Sequence, residues 1–332
     1  MTRLPEKEIK TAIRAVREAA VQCRNIQQDL ISTDILQKDD MSPVTVADFA
    51  SQAIIKSHIA KAFPKDSILA EEDASFLKTN TALQERLCRI LNQNGKKWDP
   101  SGLVGAIDHG LPAARKLKRF WVLDPVDGTK GFIRGGHFAV ALALMIGNQP
   151  VLSVIGCPNC LSDRFIKGCI FVAEANRGAY AMDLDSENRK IKLSVNAISS
   201  TREARMCEPY EEAHSASDWN TTLYTMLGIG QSGIRMDSMC KYGLVAGGDV
   251  SIYVRLWRKP RHRAKIWDHA AGVLLLHEAG GRVTDALGKS LRFSGSKTFT
   301  ADYGIIATNG HLHQPVLNAV RKIIHGASDV DS

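Results

Sequence analysis

Asp124-Pro-Val-Asp-Gly-Thr129 is the stretch of this chain best suited to chemistry. Two carboxylates three residues apart straddle a proline. Its ring fixes φ and removes an N–H, so the chain is expected to leave a strand here. Gly128 permits a tight turn. Such a bend can aim Asp124 and Asp127 at one point with the Val126 carbonyl between them. Hard oxygen donors converging at a strand end suit Mg²⁺ better than zinc. Thr129 would stand beside the ion, able to bond a water. Taken alone, the same residues also read as an ordinary Asp-Pro/Asp-Gly turn with solvated acids.

Other acids have equally double readings. Glu71-Glu72-Asp73 ends a short apolar segment, and three adjacent acids repel one another unless solvated or sharing a cation. Asp48, in Thr45-Val-Ala-Asp48, fits a helix capping box. Asp268, in Trp267-Asp-His-Ala-Ala-Gly272, stands at the start of an apolar helix, where an acid is favoured by the helix dipole.

The elements that must position these groups follow from periodicity. Apolar residues at three- and four-residue spacing predict a helix over 6–30, and a second runs over 46–63, stopped by Pro64. A strand is expected at 67–70, a helix at 75–91, and irregular connection over 92–119. Residues 121–123 form a brief strand. Residues 138–146 and 151–155 flank Gly147-Asn-Gln-Pro150 and predict a hairpin. Strands follow at 170–173, 179–182 and 191–194. Beyond residue 200, helices (218–227, 238–247, 267–279, 313–325) alternate with short strands (205–207, 234–236, 250–254, 304–307), the pattern of a layered α/β half. The boundary is set at 203: an α+β domain over 1–203 and an α/β domain over 204–332.

Composition bounds the function. With 332 residues, 44% apolar and 23% charged, the chain is an ordinary globular one. Its longest apolar run, Phe138 to Gly147, is too short to cross a bilayer, and the first residues lack the apolar core of a secretory signal. A cytoplasmic location without membrane partners is expected. Lys plus Arg outnumber Asp plus Glu by 43 to 35, which favours anionic partners without choosing among them. Seven scattered cysteines suit reduced thiols.

Several fingerprints match by letter and fail on context. Gly228-Ile-Gly-Gln-Ser-Gly233 follows a predicted helix and precedes a strand, the reverse of a dinucleotide site. Cys157-Pro-Asn-Cys160 has no second pair at zinc spacing and reads as a turn with free thiols. The run from Arg255 to Lys265 holds six cations in eleven residues and reads as a solvated basic loop, with a nucleic-acid patch the lesser alternative.

Asp48, Glu71-Glu72, Asp124-Pro-Val-Asp-Gly-Thr129 and Trp267-Asp-His-Ala-Ala-Gly272, in that order, resemble the lithium-sensitive, Mg²⁺-dependent phosphatase superfamily of inositol monophosphatases and fructose-1,6-bisphosphatases. The resemblance spans nearly the whole chain. Ser42-Pro-Val-Thr-Val-Ala-Asp48, Gly128-Thr-Lys-Gly-Phe-Ile-Arg134, Gly156-Cys-Pro-Asn159, His214-Ser-Ala-Ser, Asp237-Ser-Met-Cys-Lys-Tyr242 and Asp249-Val-Ser-Ile-Tyr-Val-Arg255 look like the bisphosphate nucleotidase branch.

The resemblance implies an α+β / α/β fold, a layered αβαβα sandwich. It implies hydrolysis of the 3′-phosphate of adenosine 3′,5′-bisphosphate, and of the corresponding phosphosulfate, by a monomer. Two or three Mg²⁺ ions would be held by Glu71, Asp124, Asp127, Asp268 and the Val126 carbonyl. Asp48 and Thr129 would orient and deprotonate the attacking water. Gly128, Thr129, His214, Ser238, Lys241, Arg255 and Asp268 would contact the nucleotide. Ser238 is expected to open a helix, with Lys241 on the same face. An inositol polyphosphate 1-phosphatase, or a catalytically silent nucleotide- or RNA-binding relative, are the alternatives.

Overall fold

The computed structural model describes residues 4–38, 42–93, 97–109, 118–160, 168–210, 216–257 and 261–328. The first half opens with helices α1 (Glu6–Gln28) and α2 (Val46–Ala62), separated by a ribbon of β1 (Ile35–Gln37) and β2 (Pro43–Thr45). After β3 (Ser67–Ala70) come α3 (Ser75–Thr79), α4 (Thr81–Asn92) and α5 (Pro100–Asp108). Next are β4 (Arg119–Asp127), α6 (Thr129–Ile133), β5 (Ala139–Ile146), β6 (Gln149–Cys157), β7 (Cys169–Glu174), β8 (Gly178–Asp183) and β9 (Lys190–Lys192). The second half holds β10 (Met206–Glu208), α7 (Ala216–Leu227), β11 (Ile234–Arg235), α8 (Cys240–Gly247), β12 (Ile252–Leu256), β13 (His262–Lys265) and α9 (Ala270–Glu278). It ends with β14 (Arg282–Asp285), β15 (Thr298–Ala301), β16 (Gly304–Thr308) and α10 (His313–Ser328).

Strands β3 to β9 form one seven-stranded sheet in sequence order, parallel between β3 and β4 and antiparallel elsewhere. A mixed five-stranded sheet runs β11-β10-β12-β16-β14. Helices α1 and α2 cover one face of the large sheet, α8 and α9 lie between the sheets, and α7 with α10 covers the far face of the smaller one. That is the expected αβαβα order.

Strand periodicity explains the uninterrupted apolar runs. Side chains alternate faces with period two. In β4, Trp121 and Leu123 enter the core beneath α1 and α2, while Phe120 and Val122 enter the core shared with α8 and α9. In β5 the large Val140, Leu142 and Leu144 face the first core; Ala139, Ala141 and Ala143 face the second. A sheet buried on both faces needs apolar residues at every position.

The hairpin between β5 and β6 turns on Gly147 and Asn148, both at positive φ (56° and 66°), with Ile146 opposite Gln149. Two left-handed residues in a two-residue loop match the twist of the strands. Close packing of α8 on the large sheet depends on Gly243, because a Cβ there would overlap the Phe171 ring of β7. Gly243→Ala is therefore expected to lower the melting temperature by about 5 °C, as overpacking of about 1–3 kcal/mol does in a chain this long. An unchanged thermal melt would show that the ring moves aside freely.

Some elements depart from the sequence expectation. Residues 92–119 contain α5, started by Asp99 capping the Gly102 amide at 2.7 Å with Pro100 in its first turn. Gly102 and Gly105 lower its helix propensity and hide it. Strand β4 does not stop at Leu123. It continues through Pro125 to Asp127, with a register shift against β5 between Asp124 and Asp127. A bulge tolerates a residue without an N–H. Part of the basic run is the strand β13, paired with β15 in a two-stranded ribbon, rather than a loop; residues 258–260 lie outside the described residues. All seven cysteines are buried, free thiols. Among the described residues no helix is long and apolar enough to cross a membrane.

Candidate active site

Parallel pairing of β3 with β4 sets the site. Ala70 lies opposite Leu123, so the next residues, Glu71 and Asp124, leave neighbouring strand ends side by side. The bulge then carries Val126 and Asp127 to the same edge. Gly128, at φ 85°, turns the chain into α6, and its Cα lies against Ser238 closely enough that a Cβ would stand 3.0 Å from the serine Cβ. Asp268, two residues before α9, arrives from the second half.

These groups open on one cavity of about 440 Å³ between the halves, lined by Glu71, Asp124, Val126, Asp127, Gly128, Thr129, Ser238, Lys241, Arg255 and Asp268. Ten of the twelve residues expected in the site meet there. Pro209, Trp219, Val254 and Leu256 add apolar surface to the same lining.

Asp124 is the acid of this set left without a protein donor on one oxygen. Asp124 is buried and its Oδ1 has no hydrogen-bond partner. Burial, then the charges of Glu71, Asp127, Asp268 and Asp48, push its carboxyl well above the usual range. Burial raises Asp127 to about 6, although Lys241 and the Met239 amide pull the other way. Burial raises Asp268 to about 7, opposed by Arg255. Four carboxylates and a carbonyl, with one carboxylate oxygen orphaned, fit a hard divalent cation.

As the side chains lie, no three His, Cys, Asp or Glu of the described residues are grouped closely enough to hold an ion. Three of the acids have turned to protein donors. Lys38 Nζ donates to Glu71 at 2.9 Å and to Glu72 at 2.5 Å. The Met239 amide donates to Asp127 Oδ2. Arg255 Nη1 stands 3.8 Å from Asp268 Oδ2. The cation shared by the adjacent acids is thus a lysine ammonium.

The remaining expected residues are distributed as follows. Asp48 does not line the cavity. Its Oδ2 accepts from the Thr45 amide and hydroxyl, both at 2.8 Å, completing the capping box of α2. Its carboxyl, raised to about 7 by burial, adds to the field on Asp124. Thr129 Oγ1 donates to the Val126 carbonyl at 3.1 Å. Ser238 does not open a helix: it has φ 66° and lies two residues before α8, its hydroxyl accepting from the Cys240 amide at 3.2 Å. A left-handed residue cannot share a helical face with Lys241, which is buried and donates to the Met236 carbonyl at 3.2 Å. His214 lies outside the described residues.

The inositol monophosphatase family profile matches residues 3–325. The chain belongs to the inositol monophosphatase family. It is 39% identical to 3′(2′),5′-bisphosphate nucleotidase 1 of Arabidopsis thaliana, over 96% of this chain and 97% of that protein. It is 36% identical to the 3′(2′),5′-bisphosphate nucleotidase of Schizosaccharomyces pombe, over 96% of each. Among solved structures, the IMPase of Thermotoga maritima superposes with a TM-score of 0.66 at 21% identity, covering 96% of this chain and 98% of that one. The extragenic suppressor protein suhB of Bartonella henselae gives 0.65 at 21%, over 95% and 98%. The family assignment and the layered fold expected from the motifs both hold.

Within this inositol monophosphatase-family site, sequence reasoning missed Lys38 and Trp219. For Lys38 a signal existed, since three adjacent acids called for a shared cation. Nothing in the spacing identified a lysine 33 positions upstream of Glu71 as that cation.

Proposed function

We propose that this chain is a Mg²⁺-dependent phosphatase that removes the 3′-phosphate of adenosine 3′,5′-bisphosphate, yielding AMP and phosphate, and also accepts the corresponding phosphosulfate. The observation that carries this reading is the mixed lining of the cavity, in which the carboxylates of Glu71, Asp124, Asp127 and Asp268 are joined by the apolar Pro209, Trp219 and Leu256. A nucleotide has a scissile phosphate at one end and a flat base at the other. Inositol phosphates offer the apolar surface nothing to stack. The names of the nucleotidase relatives favour the same substrate.

Glu71, Asp124, Asp127, Asp268 and the Val126 carbonyl would hold two or three Mg²⁺ ions. Bound there, the metal would supply Lewis-acid polarisation and a lowered pKa for water. The chain's own residues do the positioning. Thr129, with its hydroxyl fixed on the Val126 carbonyl, orients the attacking water. Lys241, beside Ser238 in the cavity wall, and Arg255 place two cations against the nucleotide's phosphates. Asp48 contributes negative field and, through its cap bonds, the fixed start of α2, and would act with Thr129 on the attacking water.

The test is phosphate release from adenosine 3′,5′-bisphosphate, inositol 1,4-bisphosphate and fructose 1,6-bisphosphate, with and without Mg²⁺. Mg²⁺-dependent preference for the nucleotide is expected. Equal or better inositol turnover would transfer the assignment to the inositol polyphosphate branch, and no turnover would leave a silent family member. Trp219→Ala should raise KM for the nucleotide about tenfold, the usual size of a lost base–aromatic stack, and leave inositol bisphosphate turnover unaltered. Equal effects on both substrates would remove Trp219 from base recognition.

A further inference from the structure

Ser51 and Gln52 follow the capping box of α2 by one turn and are fully buried. Gln52 grips the backbone of Glu72 from both sides: its Nε2 donates to the Glu72 carbonyl at 2.7 Å, and its Oε1 accepts from the Glu72 amide at 3.2 Å. Ser51 Oγ donates to the Pro125 carbonyl at 2.7 Å, inside the bulge between Asp124 and Asp127. Asp48, Ser51 and Gln52 are spaced three and four apart and share one helix face.

The backbone groups gripped here fall where the sheet ladder ends. Strands β3 and β4 stop pairing at Ala70 and Leu123, so the Glu72 peptide groups lie beyond the last β3–β4 pair, and the Pro125 carbonyl lies in a register shift against β5. A buried backbone group must find a partner. Two adjacent side chains of one helix satisfy both loops. The separation of Glu71 from Asp124 and Asp127 is therefore set by a rigid element rather than by the loops themselves.

We infer that Ser51 and Gln52 are positioning residues that hold the two acidic loops at metal-binding separation. The inference rests on the metal reading of the carboxylates proposed above. Removing either clamp leaves every carboxylate in the chain and lets one loop drift, so affinity for Mg²⁺ falls before the chemistry does. Neither residue lines the cavity, so substrate contacts stay in place.

The experiment measures Mg²⁺ binding to the full chain by calorimetry, without substrate, for the parent, Gln52→Met, Ser51→Ala and Asp124→Asn. Turnover of the nucleotide is measured alongside at saturating Mg²⁺. Gln52→Met keeps the side-chain volume and loses both bonds; Ser51→Ala is the milder variant should Gln52→Met not fold. The expected result is a Mg²⁺ dissociation constant raised about tenfold in Gln52→Met, in the range found when a ligand's supporting hydrogen bonds are lost. Ser51→Ala should show a smaller rise, and nucleotide KM at saturating Mg²⁺ should be unchanged in both. A folded variant of either residue that binds Mg²⁺ as the parent does overturns its part of the inference. Should Asp124→Asn also bind Mg²⁺ normally, the metal reading itself fails; should Asp124→Asn alone lose binding, only the positioning role falls.

Discussion

Asp124→Asn is expected to cut Mg²⁺-dependent phosphate release by about a thousandfold, the kinetic equivalent of roughly 4 kcal/mol. The same substitution should raise the melting temperature in EDTA. Both effects come from one arrangement. Asp124 is buried, its Oδ1 lacks a partner, and four neighbouring acids push against its charge. An amide of the same shape removes the repulsion and offers a donor to the surrounding carboxylates. It also removes the anionic ligand at the centre of the set. Sites that hold uncompensated charge for function commonly gain stability when it is removed. Phosphate release and a thermal melt on the same protein check both halves. Activity near the parent's would remove Asp124 from the machinery, and a lower melting temperature in EDTA would mean that its carboxylate stabilises the fold.

Stability without metal should fall as pH rises, and Mg²⁺ should restore it most at the alkaline end. Burial lifts Asp127 to about 6, Asp48 and Asp268 to about 7, and Glu72 to about 8, against ordinary values of 3.8 for Asp and 4.5 for Glu. The folded chain thus holds protons that the unfolded chain has released. Where the native state binds more protons, stability declines with rising pH. The contribution is complete below the unfolded values near 4 and is lost as pH climbs through the folded values of 6 to 8. Between about pH 5.5 and 8.5 the melting temperature in EDTA should drop by about 5 °C or more, and Mg²⁺ should recover it by binding the folded state. Asp124→Asn should flatten both dependences. A melting temperature in EDTA that rises over this interval would show that the acidic cluster is neutralised within the protein, with Lys38 the first candidate.

The sequence reading speaks of residues and is silent on their partners. The acids of the site were legible because each stands in a short pattern with its own local logic. The Asp-Pro-Val-Asp-Gly-Thr string combines a bulge-tolerant proline with a left-handed glycine, and Thr45 with Asp48 caps α2 as its spacing requires. Ser238 failed because a left-handed residue leaves no signature in a stretch that otherwise reads as helix. Helix α5 failed because two glycines outweighed an N-cap signal.

The sequence by itself determined the two long helices α1 and α2, the hairpin of β5 and β6, and the short acidic patterns. These depend on residue types within a few positions of one another. Only the tertiary structure decided what each group faces. Glu71 meets a lysine 33 positions away, Asp127 an amide 112 positions away, and the Asp124–Asp127 bulge a serine of α2. Asp48 caps its own helix, Thr129 bonds the Val126 carbonyl, and Trp219 reaches the cavity from α7. Local propensity is set by steric and hydrogen-bonding limits on neighbouring residues, whereas such pairings arise when separate elements dock and each buried polar group must find a partner within reach.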